Sequence, residues 1–151
     1  MTVARCDTLW DMIKPRSVHR SFRLRADTSE RLERRAAETG ETYTALAEQF
    51  IDEGLRRIDH PGIDFVDEPA GRRARLVGTG LGVWELIIVY RANDESSART
   101  AGYLEIPESI VEAGVAYFGD HPVEIERWID QNRAIAARES SRQRRATSVS
   151  T

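Results

Sequence analysis

Residues 18 to 26 read V-H-R-S-F-R-L-R-A, and this alternation limits the chain's options more than any other stretch. Phe22 and Leu24 take every second place, with His19, Ser21, Arg23 and Arg25 between them. Successive side chains of a strand point to opposite faces, so the pattern predicts a short strand with one apolar face and one basic, hydrogen-bonding face. Arg20 falls on the apolar register. A lone strand leaves its backbone groups unpaired, so the pattern calls for a partner.

Two helical patterns follow. In Asp27-Thr28-Ser29-Glu30, Asp27 is placed to cap a helix and Glu30 to reach back in a capping box. Leu32 and Ala36 lie on one side of that helix, and Gly40 suits its left-handed end. Thr42 can cap a second helix, where Tyr43, Leu46, Ala47, Phe50, Ile51, Leu55 and Ile58 recur at three- and four-residue steps. Two helices give Phe22 and Leu24 too little cover. Two copies pairing their strands antiparallel would bury a dimer core of Phe22, Leu24, Leu32, Leu46, Phe50 and Ile51, with the basic face outside. A two-stranded ribbon of this kind fits the major groove of B-DNA, where arginine can bond guanine and serine either kind of base.

Charge distribution agrees with that expectation, although the net formal charge of −3 does not. Lys14 to Ala26 holds five basic residues and no acid; Arg133 to Thr151 holds five arginines and only Glu139. Between Asp59 and Asn132, fourteen acids meet six arginines, a net of −8. Two basic ends flank an acidic middle.

The stretch from Arg20 to Arg57, with its helix-turn T-G-E-T-Y-T-A-L, resembles a ribbon-helix-helix DNA-binding domain of the kind found in antitoxins of toxin-antitoxin operons. The resemblance implies that His19, Ser21 and Arg23 face operator DNA and that the amides near Thr42 and Tyr43 hold a phosphate, as a helix start can. Beyond Asp59, H-P-G-I at 60 to 63, G-T-G-L-G-V-W at 78 to 84 and the pattern Y-L-E-I-P…A-Y-F…E-I are similar to a small helical antitoxin domain, domain of unknown function four-three-three. That family commonly has arginine and proline where this chain has Gly80 and Gly82. Both halves in this order resemble VapB-type antitoxins. In these the C-terminal region lies along a PIN-like ribonuclease toxin whose active site is a cluster of metal-binding carboxylates. The resemblance implies toxin contacts by Trp128, Arg138, Arg142, Arg144 and Arg145, one arginine entering the acidic site.

The expected fold class is thus mainly α. An extension at 1–16 leads to a ribbon-helix-helix domain at 17–58, an obligate dimer of one strand and two helices per chain. A small helical domain at 59–132 and a basic helix and tail at 133–151 complete it. The second domain is expected to have short extended pieces near Ile63 to Val66 and Arg73 to Val77 and turns at Pro69 to Gly71 and Gly78 to Gly82. Its expected helices carry Val83, Leu86, Ile87 and Tyr90, then a pair broken at Ile106-Pro107, then one from Pro122 through Ile135.

Rival readings are weaker. The glycine run at 78–82 has no Lys-Ser/Thr after it and no βαβ frame, so it reads as a turn and not a phosphate cradle. His19, His60 and His121 lack metal-ligand spacing, and no local motif joins a nucleophile to a base. No enzyme, cofactor or metal is expected. A helix-turn-helix at Ser97 to Phe118 would present Glu105, Glu108 and Glu112 to phosphates. Cys6 is the only cysteine and no apolar run is long enough for a membrane, so a cytoplasmic protein is expected. The competing function is a stand-alone transcription regulator whose second domain senses a ligand or another protein.

Overall fold

The computed structural model describes residues 18–148, with side chains through residue 144. The extension at 1–16 and the last three residues lie outside the described residues. Six helices and two strands run in the order α1 (Ala26–Thr39), α2 (Tyr43–Asp59), β1 (Ile63–Glu68), β2 (Gly71–Leu76), α3 (Val83–Ala92), α4 (Ser97–Leu104), α5 (Glu108–Asp120) and α6 (Pro122–Ser148). Two compact units divide at Leu46/Ala47, inside α2 and ahead of the boundary expected after residue 58.

The first unit corrects the expected ribbon-helix-helix start. Residues 18–25 form no strand; they lead as coil into α1, with Phe22 61% and Leu24 38% exposed. The sheet lies later, between β1 and β2. The reason is pairing: alternation sets which side a residue would face, but a strand persists only where its amides meet a partner, and residues 18–25 have none among the described residues. Asp27 is likewise not a cap. The helix opens two residues earlier, at Ala26, with Arg25 in the capping position and Asp27 bonded to Arg25 at 3.2 Å. Other punctuation is as expected. Gly40 ends α1 at φ +73 with its amide on the Ala36 carbonyl, and Thr42 accepts the Ala45 amide at 3.2 Å. Among the described residues, Ala36 and Leu46 are this unit's buried apolar side chains.

The second unit is built on a hairpin. Ile63 pairs with Leu76 and Phe65 with Ala74, so these four share one buried face. Pro69 and Ala70 turn the chain, and Gly71 at φ +124 takes a conformation that a side chain would resist. At the next turn, Gly78 (φ +80) and Gly80 (φ +76) bracket Thr79, whose hydroxyl donates to the Leu76 carbonyl and accepts the Leu81 amide. The glycine run is therefore a turn.

Glu85 accepts the Gly82 amide at 2.7 Å and starts α3. Glu105, at φ 55, stops α4, and Pro107 precedes α5. Val83, Leu86, Ile87, Val111, Tyr117, Ile125 and Ile129 join the hairpin face in one core. Gly114 lets α5 approach: a Cβ there would meet Leu86 at 2.2 Å. The last helix, expected from Pro122 through Ile135 with a basic helix and tail beyond, is continuous as far as Ser148. Among the described residues, no helix is long and apolar enough to cross a membrane.

Candidate functional site

In the first unit, His19, Ser21, Arg23 and Arg25 are all exposed, as are Thr42 and Tyr43. Arg25 is engaged by Asp27, the Thr42 hydroxyl by the Ala45 amide, and the Tyr43 hydroxyl lies 3.4 Å from that of Ser29. Arg20 and Arg23 have no ion-pair partner among the described residues. Of the expected dimer core, Leu46 is buried within the chain and Leu32 half-buried, whereas Phe22, Leu24, Phe50 and Ile51 reach solvent.

The second unit uses its arginines differently. Arg72 donates to Glu53 through two nitrogens, at 2.6 and 2.8 Å, tying α2 to β2. Arg57 holds Asp64 at 2.6 and 3.0 Å. The Phe65 amide first, and then Arg57, keep the Asp64 carboxyl below its usual range. Arg91 pairs with Glu126 and Arg99 with Asp94. Arg73 pairs with Glu68 and lies between two indoles, 5.4 Å from the ring of Trp84 and 5.4 Å from that of Trp128. Two of its guanidinium nitrogens, and both indole nitrogens, have no hydrogen-bond partner among the described residues.

These interactions relocate one expected toxin contact. The Trp128 side chain is 5% exposed and closes over Gly71, so its ring belongs to the interior. Arg138, Arg142 and Arg144 are exposed on the last turns of α6, and none has a carboxylate partner among the described residues. Arg145 falls in the same helix, its side chain outside the described residues.

A further constellation escapes the sequence reading. His60 and His121, sixty-one residues apart in sequence, come within 5.8 Å between ring centroids. Tyr117 lies beside both, edge-on to His60 at 5.2 Å and tilted against His121 at 4.5 Å. His60 Nε2 is 3.0 Å from Asp120, while Arg56 bonds Asp52, Tyr117 and Glu124. Burial first, then the Glu124 charge, pushes the Tyr117 phenol well above its usual value. The available signal was that both histidines immediately precede prolines, which places them at helix ends. Among the described residues no group of three or more histidine, cysteine or acidic side chains is arranged to hold a metal.

Comparison with known proteins adds no family: no protein-family model, curated protein or solved structure matches the chain.

Proposed function

We propose that this chain is a homodimeric DNA-binding antitoxin, cytoplasmic, that acts by binding and not by turnover. Its exposed segment at 18–25 contacts operator DNA, and the arginines late in α6 engage a carboxylate-rich ribonuclease of the PIN kind. The observation that carries this reading is that guanidiniums without a carboxylate partner lie in the two acid-poor ends of the chain. Arg56, Arg57, Arg72, Arg73, Arg91 and Arg99 each hold a carboxylate of their own unit. Among the described residues Arg20 and Arg23 near one end, and Arg138, Arg142 and Arg144 near the other, hold none, as is true of Arg31, Arg34, Arg75 and Arg127; the two ends differ in that acids are scarce around them. Cations without internal partners are available to external anions.

Self-association is supported by α2. Phe50, Ile51, Leu55 and Ile58 are exposed along it, and a Cβ on Gly54 would meet nothing within 4 Å. Two such faces packed against each other would cover these four side chains.

Gel-shift titration with the DNA upstream of the gene tests the first contact. Arg23→Ala with Ser21→Ala is expected to weaken binding by about 1 to 3 kcal/mol, the value of one good base contact. Wild-type affinity in that variant would overturn DNA reading by this segment. Co-expression with the neighbouring gene tests the second contact: a chain ended after Asn132 should lose its protection. Full protection by the shortened chain would remove α6's arginines from the mechanism, and a harmless neighbour would favour the stand-alone regulator.

A further inference from the structure

The two histidines of the second unit stand at chain junctions. The His60 amide donates to the Arg56 carbonyl at the end of α2, and the His60 carbonyl accepts the Ile63 amide that begins β1. The His121 amide donates to the Tyr117 carbonyl at the end of α5, and the His121 carbonyl accepts the Ile125 amide in the first turn of α6. A change at either ring therefore acts where one element hands over to the next.

Every packed element supplies a neighbour. Arg56, backed by Asp52, and His60 come from α2 and its end; Tyr117 and Asp120 come from α5; Glu124 comes from α6; and β1 contributes the Phe65 ring, 6.4 Å from Tyr117. Both nearby carboxylates are already engaged, Asp120 by His60 and Glu124 by Arg56 and Tyr117. No hydrogen bond joins the His121 ring to either of them among the described residues. A proton placed on His121 would add a cation near Arg56 and His60; the charges of Glu124 and Asp120 favour it, but burial and Arg56 outweigh them.

We propose that this corner is a proton-operated latch: neutral His121 lets the end of α2 stay fastened to the α5–α6 junction, and protonated His121 unfastens it. The proposal goes beyond the binding functions above and requires neither DNA nor toxin. Burial foremost, and then the Arg56 charge, holds the His121 imidazole below its ordinary 6.5. The sign follows from linkage. The closed corner prefers neutral His121 and the open corner takes the proton at the ordinary value, so closure is full above 6.5 and weakens as pH falls through it toward the lower folded value.

Amide hydrogen exchange on the full chain at about pH 7.5 and about pH 5.5 tests the latch, with protection corrected for intrinsic exchange. Protection of residues 55–59 and of the first turn of α6 should fall about tenfold for each pH unit between the open and closed values of His121. Phe65 and Leu76 in the hairpin should keep theirs. His121→Gln should abolish the fall, and His60→Gln should shrink it. Equal protection at both pH values, a uniform fall across the unit, or the same local fall in His121→Gln would each overturn the proposal. Should that variant fail to fold, the native chain decides: a local loss of protection that follows the His121 imidazole titration step for step supports the latch, and a His121 titration that leaves the local protection unchanged overturns it.

Discussion

Trp128→Ala is expected to lower the unfolding free energy by about 3 to 5 kcal/mol, the range for deleting a buried aromatic ring. The ring is 5% exposed; an added Cβ on Gly71 would lie 3.2 Å from it, and it forms one wall of the slot that holds Arg73. Its removal opens a cavity beside β2. It also leaves a guanidinium that already has two unpartnered nitrogens without one of its two aromatic neighbours. Trp128→Phe should lose much less, because the ring survives and the indole N–H it discards has no hydrogen-bond partner. Urea denaturation of both variants measures the difference. A loss below about 1 kcal/mol for the alanine variant would mean that the ring is peripheral and free to contact a partner.

The second large effect is expected at Glu53. Its carboxylate is buried, at 5% exposure, and receives both Arg72 nitrogens as well as the Gln49 amide at 3.0 Å. Removing one member of a buried pair costs about 3 to 5 kcal/mol because the other charge is left uncompensated. Arg72 retains partial contact with water and a second acceptor in Asp67 at 3.0 Å, which places Glu53→Ala near about 3 kcal/mol. Arg72→Met alone, and both changes together, complete a double-mutant cycle. If the two losses simply add, the pair is no clamp. Strong coupling would identify it as what draws the second half of α2 into the following unit.

That clamp explains why the unit boundary falls inside a helix. Periodicity from Tyr43 to Ile58 showed one continuous helix, which is correct, and continuity invited one domain as well. The division is decided by Glu53, Arg56 and Arg57, whose partners Arg72, Glu124 and Asp64 all lie later in the chain. Helical spacing names the residues on a face; it does not name what covers that face.

Local signals did determine much of this protein. Gly40, Thr42, the turns at 69–71 and 78–82, the break at Ile106-Pro107 and the start at Pro122 all act through backbone conformation or short-range hydrogen bonds, whose partners sit within a few residues. The tertiary structure alone decided the remainder. It left residues 18–25 as coil, because a strand needs a pairing partner that no alternation supplies. It carried Trp128 inward, and it brought His60 to His121, sixty-one residues further along the chain. Each of these depends on contacts between residues distant in sequence, which packing selects and local pattern does not encode.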